Sequence, residues 1–310
     1  MLFKIYKTSK QSFLSNYVYI NISIGIVSNI MNISYLPNSN YPTQIDFANI
    51  TFNDSEEPIN NDFKDVYFSD EGGFYESLYV FFKGNNLHNR LIEAKNNGCI
   101  EFNIGETGFG TGLNLLALMF ILDKIKECIN NSSDLNILDM NIDKKILSNI
   151  KDQTNLFPHI NFITFEKYPV ALEDLKKSHN KFKDLSIYSE ILSSKYKDLK
   201  PGINKIEITP TITLFLIIDD INNALDNIML SNSIDAWYLD GFAPTQNEAM
   251  WSDITSEQLA AISKDKTTIA TFTVAGFVRR NIQSAGFSIT KKKGFGRKRE
   301  MLTAIFDQIN

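Results

Sequence analysis

Cysteine is scarce. Cys99 and Cys128 are the only two in 310 residues, too few for a disulfide framework and in keeping with a reducing compartment. The three histidines, His88, His159 and His179, stand too far apart for a zinc site to be read from their spacing. Long apolar runs are missing as well. The nearest candidate, residues 13–36, is broken by Asn16, Asn21, Ser23, Ser28, Asn29, Asn32 and Ser34, well short of the roughly 18–20 apolar residues that cross a bilayer. Lys4, Lys7 and Lys10 imitate the start of a signal peptide, but the following segment is too polar and no small-residue cleavage site follows. These absences predict a cytoplasmic protein with no membrane span and no bound metal. A net charge of −5 excludes a chain basic all over, as in proteins coated with nucleic acid, and leaves room only for a local basic patch.

The chain is 43% hydrophobic and 22% charged, enough to bury a substantial core. Its 33 Asn, 40 Ile and 26 Lys against five Arg suggest an AT-rich coding sequence in which Lys replaces Arg wherever simple charge suffices. Asn-x-Ser/Thr triplets at Asn21, Asn32, Asn49 and Asn131 then carry little meaning. The arginines carry more. Arg279, Arg280, Arg297 and Arg299 fall within 21 residues, accompanied by Lys291, Lys292, Lys293 and Lys298, and no acid lies between them. Because the guanidinium is a planar, bidentate donor, this segment reads as a surface that contacts phosphates or bases.

Residues 1–45 show no clear period and are expected to be a loosely ordered extension, leaving 46–310 as a single domain. Asp65–Ser69 and Leu78–Phe82 read as short strands around the turn-forming Gly72–Gly73. Cys99–Ile104 is a third strand, running into the glycine-rich segment 105–112 and then a helix over Leu113–Ile129. The polar stretch 127–160 reads as an insertion. Strands are expected at Asn161–Phe165, Thr213–Ile218, Asp235–Leu239 and Thr267–Thr273, with helices over Ala171–Phe182 and Ala275–Ala285. Strands alternating with helices argue for a doubly wound, mostly parallel α/β sheet. A closing hairpin, Phe287–Lys293 with Lys298–Phe306 around Gly294–Gly296, gives that sheet the antiparallel end of a Rossmann-like class I methyltransferase.

The chemistry concentrates at strand ends. The run Gly105-Glu106-Thr107-Gly108-Phe109-Gly110-Thr111-Gly112 lies between a strand and a helix, where glycines let the backbone turn and approach a ligand. A dinucleotide loop needs G-x-G-x-x-G, whereas here Leu113 stands where the last glycine belongs. An acid two residues before Gly108, here Glu106, is characteristic of S-adenosylmethionine loops, where it meets the cofactor's amino group. Ligand groups in such sheets come from successive strand ends, which selects Glu166 for the ribose hydroxyls, Asp220 or Asp219 for the adenine edge, and Asp240 for the reacting centre. Asp139 rivals Glu166 at a more ordinary distance from the loop.

These residues carry a family resemblance. GETGFGTGLNLL (105–116), FEKYP (165–169), AWYLDGFAP (236–244) and the block from Ala270 to Leu302 are similar to the methyltransferase domain of MnmC-type tRNA 5-methylaminomethyl-2-thiouridine biosynthesis proteins. Asp65–Ser69 and YVFFKGNNL (79–87) resemble that family's N-terminal portion. The resemblance implies S-adenosylmethionine as cofactor, methylation of the 5-aminomethyl group of the wobble uridine, and a tRNA anticodon loop as partner. The glycine loop and the strand ends select Glu106, Gly108, Gly110, Gly112, Glu166 and Asp220 for the cofactor and Asp240 for the acceptor amine. Phe242 and Pro244 would face the uracil ring, with Arg279, Arg280, Lys292, Arg297, Lys298 and Arg299 on the tRNA. The chain stops soon after the hairpin, so the FAD-dependent oxidase often fused behind this domain is expected to act, where needed, as a separate partner. A methyltransferase acting on another amine, an NAD-dependent oxidoreductase and a non-catalytic RNA-binding protein are the alternatives.

Overall fold

A computed structural model describes residues 33–36, 41–68, 72–131, 133, 135, 137–141, 150, 155–230 and 233–307. Of the expected extension 1–45, the first 32 residues and 37–40 lie outside the described residues, as do 142–149 and 151–154 of the expected insertion.

The first strands are short and peripheral. β1 (Ser34–Tyr35) belongs to a two-stranded sheet, and β2 (Ile50–Phe52), β3 (Pro58–Asn60) and β4 (Asp65–Val66) form an antiparallel sheet of three. The main sheet is built from β5 (Glu101–Glu106), β6 (His159–Glu166), β7 (Gly202–Thr209), β8 (Ile212–Ile218), then β10 (Ile234–Tyr238), β11 (Ser263–Thr271), β12 (Phe287–Lys293) and β13 (Glu300–Phe306). Between them the short β9 (Ile228–Met229) pairs with β1. The order is β12-β13-β11-β10-β5-β6-β8-β7. The pairs from β8 through β6, β5 and β10 to β11 are parallel, while β7 and the β12–β13 hairpin pair antiparallel at the two sides. Strand order reverses between β5 and β10, so their C-terminal ends open a crevice, the usual ligand position in such sheets.

The helices follow from the apolar spacing. α1 (Gly73–Ser77), α2 (Leu87–Asn96), α3 (Leu113–Asn130), α4 (Leu172–His179), α5 (Ser186–Lys195), α6 (Ile221–Asn227), α7 (Asp253–Ala261) and α8 (Gly276–Ser284) cover both faces. β8 is buried at every position, as expected for a central parallel strand. α3 starts at Gly112, whose φ of +74° favours glycine and whose missing side chain leaves room for the Phe109 ring. None of the described helices is long and apolar enough to cross a membrane.

One expected strand is helical. Leu78–Lys83 forms a π-helical turn continuing α1, although Leu-Tyr-Val-Phe-Phe favours strands by composition. Leu78, Val80, Phe81 and Phe82 are all buried, too many in a row for one side of a strand, and a helical turn distributes them into the core. The strand expected at Asp65–Ser69 shortens to Asp65–Val66, and Ser69 lies outside the described residues.

Candidate active site

A cavity of about 590 Å³ opens at the C-terminal ends of β5, β6, β8 and β10, roofed by the β3–β4 connection and flanked by α1. Its described lining holds six carboxylates, those of Asp65, Glu76, Glu166, Asp219, Asp220 and Asp240, against two lysines, Lys167 and Lys298.

At one end the glycine loop meets β6 and β8. Glu166 accepts the Gly110 N–H through Oε2 at 2.8 Å and the Tyr168 N–H through Oε1 at 2.9 Å. Burial raises its pKa above the ordinary carboxylate value, and these N–H donors offset part of the rise. Gly110 has φ +50°, and an added Cβ would come within 3.0 Å of the Tyr67 ring, so the loop and the roof touch here through glycine. Asp220 caps α6 through Asn222 N–H at 3.1 Å and pairs with Lys167 at 3.1 Å. Asp219 is buried and spent on structure, accepting Tyr35 OH, Asn223 Nδ2 and the Asp220 N–H. Of the two expected rivals for the adenine edge, Asp220 is therefore the freer. Asp139 lies in an exposed turn away from the lining, and Gly112 sits behind the wall as the start of α3.

At the other end stands Asp240. Its Oδ2 accepts Asn114 Nδ2 at 2.6 Å and its Oδ1 accepts the Gly241 N–H at 2.8 Å. Burial pushes its pKa up to about 6, reinforced by Glu76 and opposed by Asn114, the Gly241 N–H and Lys298. Phe242 lines the cavity stacked on Phe63, with centroids 4.7 Å apart, and meets Tyr67 edge-on at 5.2 Å. Asp65 Oδ2 accepts the Ala243 N–H at 2.9 Å, fastening the roof to this loop. Pro244 is buried outside the lining, so the aromatic wall is Phe242 with Phe63.

Glu106 does not line the cavity. It is 1% exposed at the end of β5, accepts Thr164 Oγ1 and Asn114 Nδ2, and is held well above the usual carboxylate range chiefly by burial. The basic residues divide likewise. Arg279 and Arg280 lie on α8 and Lys292 on β12, while Arg297 and Arg299 are exposed in the turn before β13. Lys298 alone reaches the lining, pairing with Glu76 at 2.5 Å and lying over the Phe272 ring at 4.9 Å.

Sequence reasoning missed Phe63, Tyr67, Asp65, Glu76, Ser77 and Asn114. The first three come from a sheet with strands of two or three residues, which gives no periodic signal. Asn114 did leave a trace, as a polar residue on the otherwise apolar first turn of α3.

The site fits a cationic nucleoside cofactor. Gly108 borders the cavity, where an added Cβ would stand 3.4 Å from the Asp240 carbonyl oxygen, and the carboxylate lining suits a sulfonium better than a pyrophosphate.

Comparison with known proteins agrees. Residues 183–307 match the model of a family described as S-adenosyl-L-methionine-dependent methyltransferase. The structure resembles MNMC2 from Aquifex aeolicus with a TM-score of 0.54 and 17% identity, over 87% of this chain and 75% of that one. A spermidine synthase from Thermotoga maritima gives a TM-score of 0.44 and 10% identity, over 92% of this chain and 85% of that one; the fold assignment rests on the former. Residues 183–307 are thus similar to that methyltransferase family, and the chain has the mostly parallel α/β fold with a C-terminal antiparallel hairpin that the sequence predicts.

Proposed function

We propose that this protein methylates the primary amine of a 5-aminomethyl group on the wobble uridine of tRNA. The observation that carries this reading is Asp240, a carboxylate of raised pKa beside an aromatic wall in a cavity dominated by acids. Such a lining attracts two positive groups, a sulfonium and an alkylammonium, and it disfavours phosphate-bearing cofactors. The sequence resemblance supplies the tRNA.

Glycines 108 and 110, Glu166 and Asp220 would hold the cofactor. When bound, S-adenosylmethionine supplies an electrophilic methyl group on its sulfonium. The acceptor nitrogen attacks only as a free amine. For a Lys-like amine of pKa about 10.4, neutrality at pH 7 costs up to roughly 4–5 kcal/mol, and attachment to a uracil ring lowers that figure. Asp240 takes this proton, and Phe242 with Phe63 presents a flat apolar face to the ring. Most of the acceleration comes from holding the two reactants in line within a desolvated cavity. The exposed Lys292, Arg297 and Arg299 supply phosphate contacts, which reconciles an overall acidic chain with an RNA substrate and makes binding salt-dependent. An anticodon-loop base can be splayed out of its stack into such a pocket. A separate activity, an FAD-dependent oxidase or another upstream tRNA-modifying enzyme, delivers the aminomethyl substrate.

The test is transfer of labelled methyl from S-adenosylmethionine to tRNA isolated from cells lacking this gene, followed by nucleoside analysis. Label on 5-aminomethyluridine supports the proposal. Cofactor binding without label on that nucleoside would overturn the tRNA assignment and direct the search to another amine.

A further inference from the structure

A single side-chain amide joins the two buried carboxyl groups of the site. Asn114, the second residue of α3, donates one Nδ2 hydrogen to Asp240 Oδ2 at 2.6 Å and the other to Glu106 Oε1 at 2.9 Å. Its Oδ1 accepts the Ser77 hydroxyl from α1. With its nitrogen turned to both carboxyl groups, the amide leaves its oxygen to the Ser77 hydroxyl, which donates to it. Asn114 and Ser77 are 7% and 5% exposed, so little of either side chain reaches solvent.

The two carboxyls are not equivalent. Glu106 is sealed beneath the sheet end, and burial favours its neutral acid. Asp240 faces the cavity and has the neighbouring Lys298 to favour its ionised form. The shorter of Asn114's two hydrogen bonds runs to Asp240, as expected for the charge-assisted one.

We propose that Asn114 is a positioning residue for methyl transfer, aiming the Asp240 carboxylate at the acceptor amine and holding it ionised, with Ser77 and Glu106 fixing the amide. This rests on the reading of Asp240 as proton acceptor. It also gives Glu106 a role through Asn114, distinct from direct contact with the cofactor. The charged groups facing Asp240 are Glu76 on α1, Lys298 in the β12–β13 turn and Glu106 on β5. Glu76 and Lys298 keep their own contacts in the variants below, whereas Asn114→Leu also removes a donor from Glu106 and so favours its neutral acid further.

The test is the pH dependence of kcat/KM for methyl transfer. In the wild-type protein the acid limb reports Asp240 and is expected near pH 6. Removing a hydrogen bond to a charged group moves that pKa by about one unit or more. Asn114→Leu should therefore shift the limb upward by that amount, cutting activity about tenfold or more below pH 6 and recovering part of it above pH 8. Ser77→Ala, which keeps the amide but frees its orientation, should shift the limb the same way by less; it carries the test alone if Asn114→Leu is not recovered folded. A variant that lowers activity equally at every pH, with the limb unmoved, shows a merely structural role and overturns the inference. Asp240→Asn separates the two levels of the argument. If it still turns over within a few fold, the reading of Asp240 is wrong, whereas if it is inactive and the Asn114→Leu limb stays put, only the inference fails.

Discussion

The end of the cavity proposed to hold the cofactor and the end proposed to hold the acceptor amine are built in different ways. The cofactor end comes from a contiguous glycine loop and the tips of adjacent parallel strands, β5, β6 and β8. The acceptor end gathers Asp240 after β10, Asn114 from α3, Phe63 from the small N-terminal sheet and Lys298 from the terminal hairpin turn. The first is a local device repeated wherever a strand turns into a helix over a nucleotide. The second exists only after long-range packing has brought four separate segments together. On the proposed reading, the first end holds the cofactor of a methyl transfer and the second decides the acceptor.

If the two ends divide the work, substitutions should separate cofactor affinity from acceptor handling. Glu166→Ala removes the acceptor of the Gly110 and Tyr168 N–H groups, so calorimetry should show S-adenosylmethionine affinity falling about 10- to 100-fold. The acceptor KM, measured at saturating cofactor, should hardly move. Phe63→Ala removes the ring stacked on Phe242 and should do the reverse, raising the tRNA KM roughly tenfold with cofactor affinity nearly unchanged. Equal losses of both affinities in either variant would break the division.

A smaller effect sharpens the acceptor end through pH. Asp240 titrates near 6 in the folded protein, above the ordinary Asp value of 3.8. A raised acid pKa means that the folded state holds the proton more tightly. Asp240 therefore favours folding at low pH, loses that contribution as pH rises from about 4 to about 6, and costs on the order of 1–3 kcal/mol above it. Asp240→Asn should raise the melting temperature at pH 7.5 and leave it almost unchanged at pH 4. The smallest expected effect is Lys298→Ala. Its pair with Glu76 is half exposed, so stability should change by less than about 1 kcal/mol, while the salt dependence of tRNA binding becomes slightly shallower.

The contrast also explains what the sequence could reveal. The parallel strands β5, β6, β8 and β10 were legible because each is a short run closed by an acid or a glycine, as at Glu166, Asp219 and Asp240. The terminal hairpin and α8 were legible by the same local logic. Leu78–Phe82 misled because strand-favouring residues are overridden when core surrounds them on every side. Strand β7 went unread beside β8 because its burial is irregular. The aromatic roof was invisible for another reason: Phe63 and Tyr67 acquire meaning only by meeting Phe242, nearly 180 positions away. The same holds for Asp65 with Ala243 and for Asn114 with Asp240, contacts that no spacing rule encodes.

The measurement that bears most directly on the account is single-turnover methyl transfer to aminomethyl-bearing tRNA by Asp240→Asn, with S-adenosylmethionine affinity determined on the same preparation. Loss of a positioned general base predicts a fall of roughly 10²- to 10⁴-fold in rate with cofactor affinity nearly unchanged. A rate within a few fold of the wild-type protein, with the cofactor bound, would contradict it.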